Sequence, residues 1–320
     1  MIAFVLSGGG NRGALQVGAM QVLFEHGIVP EMLVGTSAGA INAAFVAANP
    51  CREQLDRLAE LWRQVTKDDV YPGGRLTMLW RLVTGRESLF PNENFYRFLA
   101  DHLSAGVLRF ADITAARLYI VATCLDTGAL RLFGEDPEDS VLDAVMASTA
   151  LPPFHPPWHY GGERYIDGGA VADLPLRVAV EKGAREIYAL HATGESRPAQ
   201  ALRNLIAIAN QAISALLQQQ LAHDLEEAAR HPGVRLHHIQ LPAPPGLTFW
   251  DFSHSAELIE IGRRTVEEYL RGAQVQQVAV RERIASLLTR YTIEPLSRGR
   301  ALVKDAIARV EQALRERGGP

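Results

Sequence analysis

Two stretches decide how this chain reads: SGGGNRG at Ser7–Gly13 and VGTSAG at Val34–Gly39. Both are glycine-rich turns, and they stand one helix apart. The apolar run Ile2–Leu6 before the first turn reads as a buried strand. Ala14–His26 follows with Leu15, Ala19, Val22 and Leu23 at helical spacing, and Gly27 is placed to end that helix. Met32–Val34 reads as a second strand. Gly35-Thr36-Ser37-Ala38-Gly39 is then a G-x-S-x-G turn leading into the alanine-rich helix Ala38–Ala48. In that context the serine hydroxyl stands at the apex of a strand-to-helix turn, with a helix N-terminus beside it. Gly35 and Gly39 leave the room that such a turn needs.

The first turn matches G-x-G-x-x-G at Gly8, Gly10 and Gly13, the spacing of a dinucleotide loop. That reading requires an acidic residue at the end of the next strand, where this chain has Gly35-Thr36-Ser37. A phosphate loop of the Walker type requires a lysine after the last glycine, and Gly13 is followed by Ala14. Two readings remain: backbone N–H groups of Gly8, Gly9 and Gly10 facing a developing oxyanion, or a tight turn that packs helix on strand.

Further along, strands and helices alternate. Arg52–Gln64 and Pro91–Leu103 read as helices, Leu118–Leu125 with Ala129–Phe133 as a strand with a short return, and Ser140–Ser148 as a helix. Four prolines in six residues stiffen Pro152–Pro157. Arg164–Ile166 is a short strand running into Asp167-Gly168-Gly169, which presents an aspartate on another tight turn. Asp173 reads as the N-cap of the next helix, with Pro175 in its first turn. Glu186–His191 and Val234–Leu241 are strands, and Ala201–Arg230 is a long helix. From Ala256 to Glu316 the pattern is helical, with breaks expected near Gly272 and Pro295. Leu302, Val303, Ala306, Ile307, Val310, Ala313 and Leu314 form a stripe that docks on the domain or faces a partner.

This alternation predicts an α/β fold with a mainly parallel central sheet covered by helices on both faces. The division expected is an α/β domain over residues 1–250 and a helical region over 251–320. Ser37, the Gly8–Gly10 turn and Asp167 all fall at carboxyl ends of strands, where such folds collect their functional groups. The net charge of -4 gives no basic field for nucleic acid. Two cysteines, Cys51 and Cys124, suggest neither a disulfide framework nor a metal site, and no metal or cofactor is expected. Met1 leads straight into a strand without a basic leader, and no apolar run reaches membrane-spanning length, so the expectation is a cytoplasmic protein. Arg75–Arg86 interleaves Met78, Leu79, Trp80, Leu82 and Val83 with three arginines. It reads either as a half-buried cap helix or as a segment lying on an anionic lipid surface.

A serine nucleophile needs a base. Ten histidines are present and none stands on a glycine-bounded turn, so Asp167 is the better candidate. Taken in order, Gly8–Gly13, Gly35–Gly39 and Asp167–Gly169, with Ala147–Phe154 ahead of the aspartate, resemble the patatin-like phospholipase family over about residues 1–191. That resemblance implies a three-layer fold and a Ser37–Asp167 dyad without histidine. Oxyanion donors would come from the Gly8–Gly10 turn and Ala38. Gly13, Gly35, Gly39, Gly168 and Gly169 would support the turns. Arg12 would either anchor the glycine loop or bind a phosphate head group. The substrate implied is a phospholipid or another fatty-acyl ester, with peripheral membrane contact. A soluble esterase for short acyl chains and an idle lipid-binding module are the competing readings. Many members carry asparagine where this chain has Asp173.

Overall fold

The computed structural model describes residues 1–103, 108–194 and 205–291. Among them, eight strands form one sheet. They are β1 (Ile2–Leu6), β2 (Met32–Thr36), β3 (Arg117–Cys124), β4 (Leu130–Phe133), β5 (Trp158–Tyr160), β6 (Glu163–Asp167), β7 (Glu186–Thr193) and β8 (Arg235–Pro242). The order is β5-β6-β3-β2-β1-β7-β8, with β4 also on β3. β3, β2, β1, β7 and β8 run parallel, while β4, β5 and β6 add antiparallel pairs. β5 follows the proline-rich loop and was not expected from its composition.

The helices are α1 (Gly13–Glu25), α2 (Ala38–Ala47), α3 (Arg52–Gln64), α4 (Lys67–Val70), α5 (Arg75–Val83), α6 (Glu93–His102), α7 (Val141–Ser148), α8 (Leu176–Glu181), α9 (Leu205–Arg230) and α10 (Ser255–Tyr291). The two faces of the sheet divide by the period of two that a strand imposes. Ala3, Val5, Met32, Val34, Ile187 and Ala189 point to the face covered by α8 and α9, in one cluster with Val178, Ala179 and Ala228. Phe4 points the other way, onto Phe24 of α1. The parallel strands are buried on both faces, which is why β1 and β2 are continuous apolar runs rather than alternating ones.

α1 and α2 lie inside this framework, and their sequences show it. Every residue of α2 is buried, as are ten of α1. A helix enclosed on all sides has no polar face to conserve, so alanine and glycine suffice. Gly18 and Gly262 let α1 and the start of α10 touch backbone to backbone. A Cβ on either glycine would stand 1.9 Å from a carbonyl oxygen of the other helix.

The first compact unit runs Met1–Thr265 and the second begins at Val266. α10 continues through Gly272, which corrects the break expected there. A helix-interior glycine costs about 1 kcal/mol against alanine, too little to end a helix whose neighbours favour it. α4 is a single short turn of helix, Lys67–Val70, between α3 and α5. Asp173 does not cap α8; Pro175 occupies that position. Pro295 and the stripe Leu302–Leu314 lie outside the described residues.

Candidate active site

β2 ends at Thr36 and Ser37 makes the turn. Its φ of 53° and ψ of -122° make it the one non-glycine residue with positive φ among those described. A side chain in that region is strained, and strain of this kind persists only where surroundings enforce it. The enforcement is visible on both sides. A Cβ on Gly35 would stand 2.3 Å from Gly39 O, and one on Gly39 would stand 2.3 Å from Leu6 O. The chain crosses itself here with no space for side chains. From α7, Ser148 accepts the Ser37 N–H at 2.8 Å and donates to Val121 O of β3 at 2.6 Å. Ser148 is fully buried and pins the elbow to the sheet.

Asp167 arrives from the opposite direction. Val121 pairs with Thr36 on one edge of β3 and with Leu132 on the other. Ala122 pairs with Asp167 and with Arg131. β4 is continuous across both residues, so β2 and β6 share the other edge and meet carboxyl end to carboxyl end. The result is that Ser37 Oγ donates a 2.6 Å hydrogen bond to Asp167 Oδ2. The other carboxylate oxygen, Oδ1, accepts the Gly169 N–H at 2.7 Å. Thr123 Oγ donates to the Asp167 carbonyl at 2.9 Å, and the Asp167 N–H reaches Ala150 O at 2.9 Å. A Cβ on Gly168 would lie 2.2 Å from Val121 O, so glycine is required for this approach.

Burial pushes the Asp167 carboxyl up to about 7, with the nearby charge of Asp173 acting in the same direction. The bonds from Ser37 and Gly169 oppose the shift. The environment thus brings this carboxyl near neutrality.

The glycine turn sits against this pair. Gly9 and Gly10 have φ of 156° and 61°, conformations open to glycine. The Gly8 N–H donates to Asp173 O at 3.2 Å and is therefore engaged, contrary to the expectation that it faces an oxyanion. A Cβ on Gly8 would lie 3.3 Å from the Ser37 Cβ, which places the turn directly beside the hydroxyl. Among the described residues, the N–H groups of Gly9 and Gly10 have no acceptor. Arg12 Nε donates to Gly9 O at 3.0 Å and so anchors the turn through a carbonyl. Asp173 is half-buried, and its charge faces Arg12.

A buried polar network holds the turn against the elbow helix. Gln16 Nε2 donates to Ser7 O at 2.8 Å, and Asn42 Nδ2 donates to Gln16 Oε1 and Gly13 O, each at 2.9 Å. Trp62 Nε1 donates to Asn42 Oδ1 at 2.8 Å. Sequence reasoning missed Ser148, Gln16 and Asn42. A polar residue in a helix ordinarily faces water, and only for Asn42, the lone polar residue of α2, does the surrounding sequence mark the exception.

The histidines take no part in the pair. His155 is buried with its ring nitrogens toward Val70 O and Thr149 O, and burial lowers its pKa. His191 and His238 face one another at 3.2 Å on β7 and β8. His223, Asp224 and Glu227 on α9 stand within 4.8 Å of one another, but Arg177 lies 3.8 Å from Glu227 and already supplies a cation.

An apolar cleft opens at Ser37. Ile41, Leu61, Trp62, Val65, Phe95 and Leu99 line it, as do Leu151, Phe249 and Phe252. Tyr71 lines it too, stacked on His155, and burial with the Asp167 charge raises its pKa. Among the described residues no helix is long and apolar enough to cross a membrane.

This chain is 29% identical to the uncharacterized protein YqhO of Bacillus subtilis, over 83% of this chain and 97% of that protein. It is 30% identical to patatin-like phospholipase domain-containing protein 7 of Rattus norvegicus, over 59% of this chain but 13% of that much longer one. Among solved structures it is similar to VipD from Legionella pneumophila, with a TM-score of 0.48 and 17% identity over 84% of this chain and 66% of that one. The family model Patatin-like phospholipase matches residues 4–180, which hold Ser37, Asp167 and both glycine turns, and the chain belongs to that family.

Proposed function

We propose that the protein is a serine lipid acyl hydrolase of the phospholipase A or lysophospholipase type, with Ser37 as nucleophile and Asp167 as its base. The observation that carries the reading is the 2.6 Å bond from Ser37 Oγ to Asp167 Oδ2, with Ser37 lining an apolar cleft. Family membership supports a lipid ester hydrolase.

In this mechanism Ser37 Oγ attacks the ester carbonyl carbon as its proton passes to Asp167 Oδ2. The carbonyl oxygen becomes an oxyanion, and the N–H groups of Gly9, Gly10 and Ala38 stabilise it. The helix dipole of α2 adds to that stabilisation. Collapse of the intermediate breaks the bond to the alcohol, which leaves with the proton from Asp167. Water then attacks the acyl-enzyme, giving its proton to Asp167, and the fatty acid departs as Ser37 is regenerated. The acyl chain occupies the cleft between Ile41, Trp62 and Phe249.

Hydrolysis of p-nitrophenyl esters from short to long acyl chains tests this, with wild type, Ser37→Ala and Asp167→Asn compared. Turnover of long chains by wild type, lost in both folded variants, is the expected result. Full activity in Ser37→Ala overturns the elbow assignment. Activity confined to short chains selects a soluble esterase. Silence on all esters and on phospholipid vesicles selects a lipid-binding module.

A further inference from the structure

α5 inverts the usual orientation of an amphipathic helix. Leu76, Leu79, Trp80 and Val83 recur at i, i+3, i+4 and i+7, the spacing that ordinarily marks the side facing a core. Here that stripe faces water: Leu76 is 84% exposed, Leu79 58%, Trp80 55% and Val83 77%, with Leu82 beside them at 68%. The side turned toward the protein carries Thr77, Met78 and Arg81 instead, and Arg81 donates from Nε to Ser88 O at 2.8 Å. No residue of α5 is buried. Contiguous apolar exposure of this kind marks a surface with a partner.

The place of the helix and its charge identify the partner. The chain leaves the body at Tyr71 and returns at Phe90, whose rings lie 5.6 Å apart. Tyr71 lines the cleft at Ser37. On the return, the Leu89 and Phe90 N–H groups donate to Pro153 O and Phe154 O, and Phe154 packs on Phe249 of the cleft wall. One end of the excursion is therefore a cleft residue, and the other is fixed on residues that pack against the cleft wall. Between Asp69 and Glu87 the chain carries Arg75, Arg81 and Arg86 and no acid. Arg75 and Arg86 are exposed, and Arg86 lies over the Trp80 ring. Leucines, a tryptophan and arginines on one short surface helix match the boundary between acyl chains and anionic head groups.

We infer that α5 seats the protein on anionic phospholipid bilayers, burying Leu76, Leu79, Trp80 and Val83 among the acyl chains and setting Arg75 and Arg86 at the phosphate level. The inference rests on the lipid-hydrolase reading for its purpose, since it presents the cleft to the surface that holds the substrate. The binding itself is independent of catalysis.

The test uses full-length Ser37→Ala protein and phosphatidylcholine vesicles with and without phosphatidylglycerol. The Ser37→Ala protein sediments with anionic vesicles far more than with neutral ones, and adding Leu79→Asp with Trp80→Asp lowers that partition by about tenfold or more. Arg75→Glu with Arg86→Glu removes the preference for the anionic lipid. Vesicles shift the tryptophan emission to the blue, and Trp80→Phe abolishes most of that shift. Because these side chains touch water, the thermal midpoint of the variants stays at the parent value.

Equal partition of parent and Leu79→Asp/Trp80→Asp proteins overturns the proposal, as does equal binding to neutral and anionic vesicles. Dimerisation that Leu79→Asp disperses, without vesicle binding, assigns the face to a second copy of the chain and also overturns it. Vesicle binding that survives while wild type hydrolyses no ester would leave the interface standing and remove the hydrolase reading. Ester hydrolysis without vesicle binding would do the reverse.

Discussion

Ser37 and Asp167 meet because the strands carrying them end against consecutive residues of β3, Thr36 opposite Val121 and Asp167 opposite Ala122. Their separation of 130 positions is closed by sheet register rather than by any local motif. That arrangement places a carboxylate in a buried site, on one N–H and one hydroxyl, and several consequences can be measured.

The rate of ester hydrolysis should rise with pH through about 7. Asp167 must be unprotonated to accept the Ser37 proton, and burial pushes its pKa up to about 7. The check is kcat/KM for a soluble ester between about pH 5 and 9, a range that brackets the shifted carboxyl. A profile already flat from the ordinary carboxylate range upward would mean that Asp167 is not the base.

Asp167→Asn should be more stable than wild type above neutrality. An acid whose folded pKa is raised binds its proton more tightly in the folded protein. Its contribution is complete below the unfolded value near 3.8 and is lost as pH rises through the folded value near 7. Asparagine escapes that loss, giving a gain of about 1–3 kcal/mol at pH 8 after allowance for solvent relaxation. Urea denaturation of both proteins at pH 5 and pH 8 measures it, and the gap should shrink toward the lower pH.

Ser148→Ala removes both ends of the bridge between the Ser37 N–H and Val121 O. Leaving two buried polar groups unpaired costs about 1–3 kcal/mol. Freeing the strained elbow should also lower kcat by about tenfold, because the hydroxyl is no longer held in reach of Asp167. Stability and kcat measured on the same preparation separate the two effects; loss of stability with kcat unchanged would show that the glycines alone hold the turn.

Ile41→Trp should shorten the usable cleft. Ile41 and Ser37 both line it. Excluding two or three methylenes of the acyl chain at about 0.8 kcal/mol each predicts a loss of about 10- to 60-fold in kcat/KM for long esters. Short esters should be affected little. A uniform loss across the chain-length series would place the acyl group elsewhere.

Much of the site was legible because its parts are locally encoded. Gly35, Ser37 and Gly39 declare a turn with no room for side chains, and Asp167-Gly168-Gly169 declares an aspartate at a strand end. The parallel sheet follows from alternating elements. Asp173 was misread as an N-cap because Asp before Leu-Pro fits that role, whereas the fold turns its carbonyl to the Gly8 N–H and its charge to Arg12. That bond also engages the Gly8 N–H, a fact no local pattern contains.

Sequence alone determined the strand-turn-helix elbow at Ser37, the glycine turn beside it and the order of the layers, because steric limits on the backbone and hydrophobic periodicity act within a few residues. Tertiary structure decided which aspartate oxygen faces the serine, that Ser148 holds the elbow, and that α5 turns its apolar stripe to solvent. Periodicity fixes which side chains share a face. What that face meets is set by strand register and packing between residues far apart in the chain.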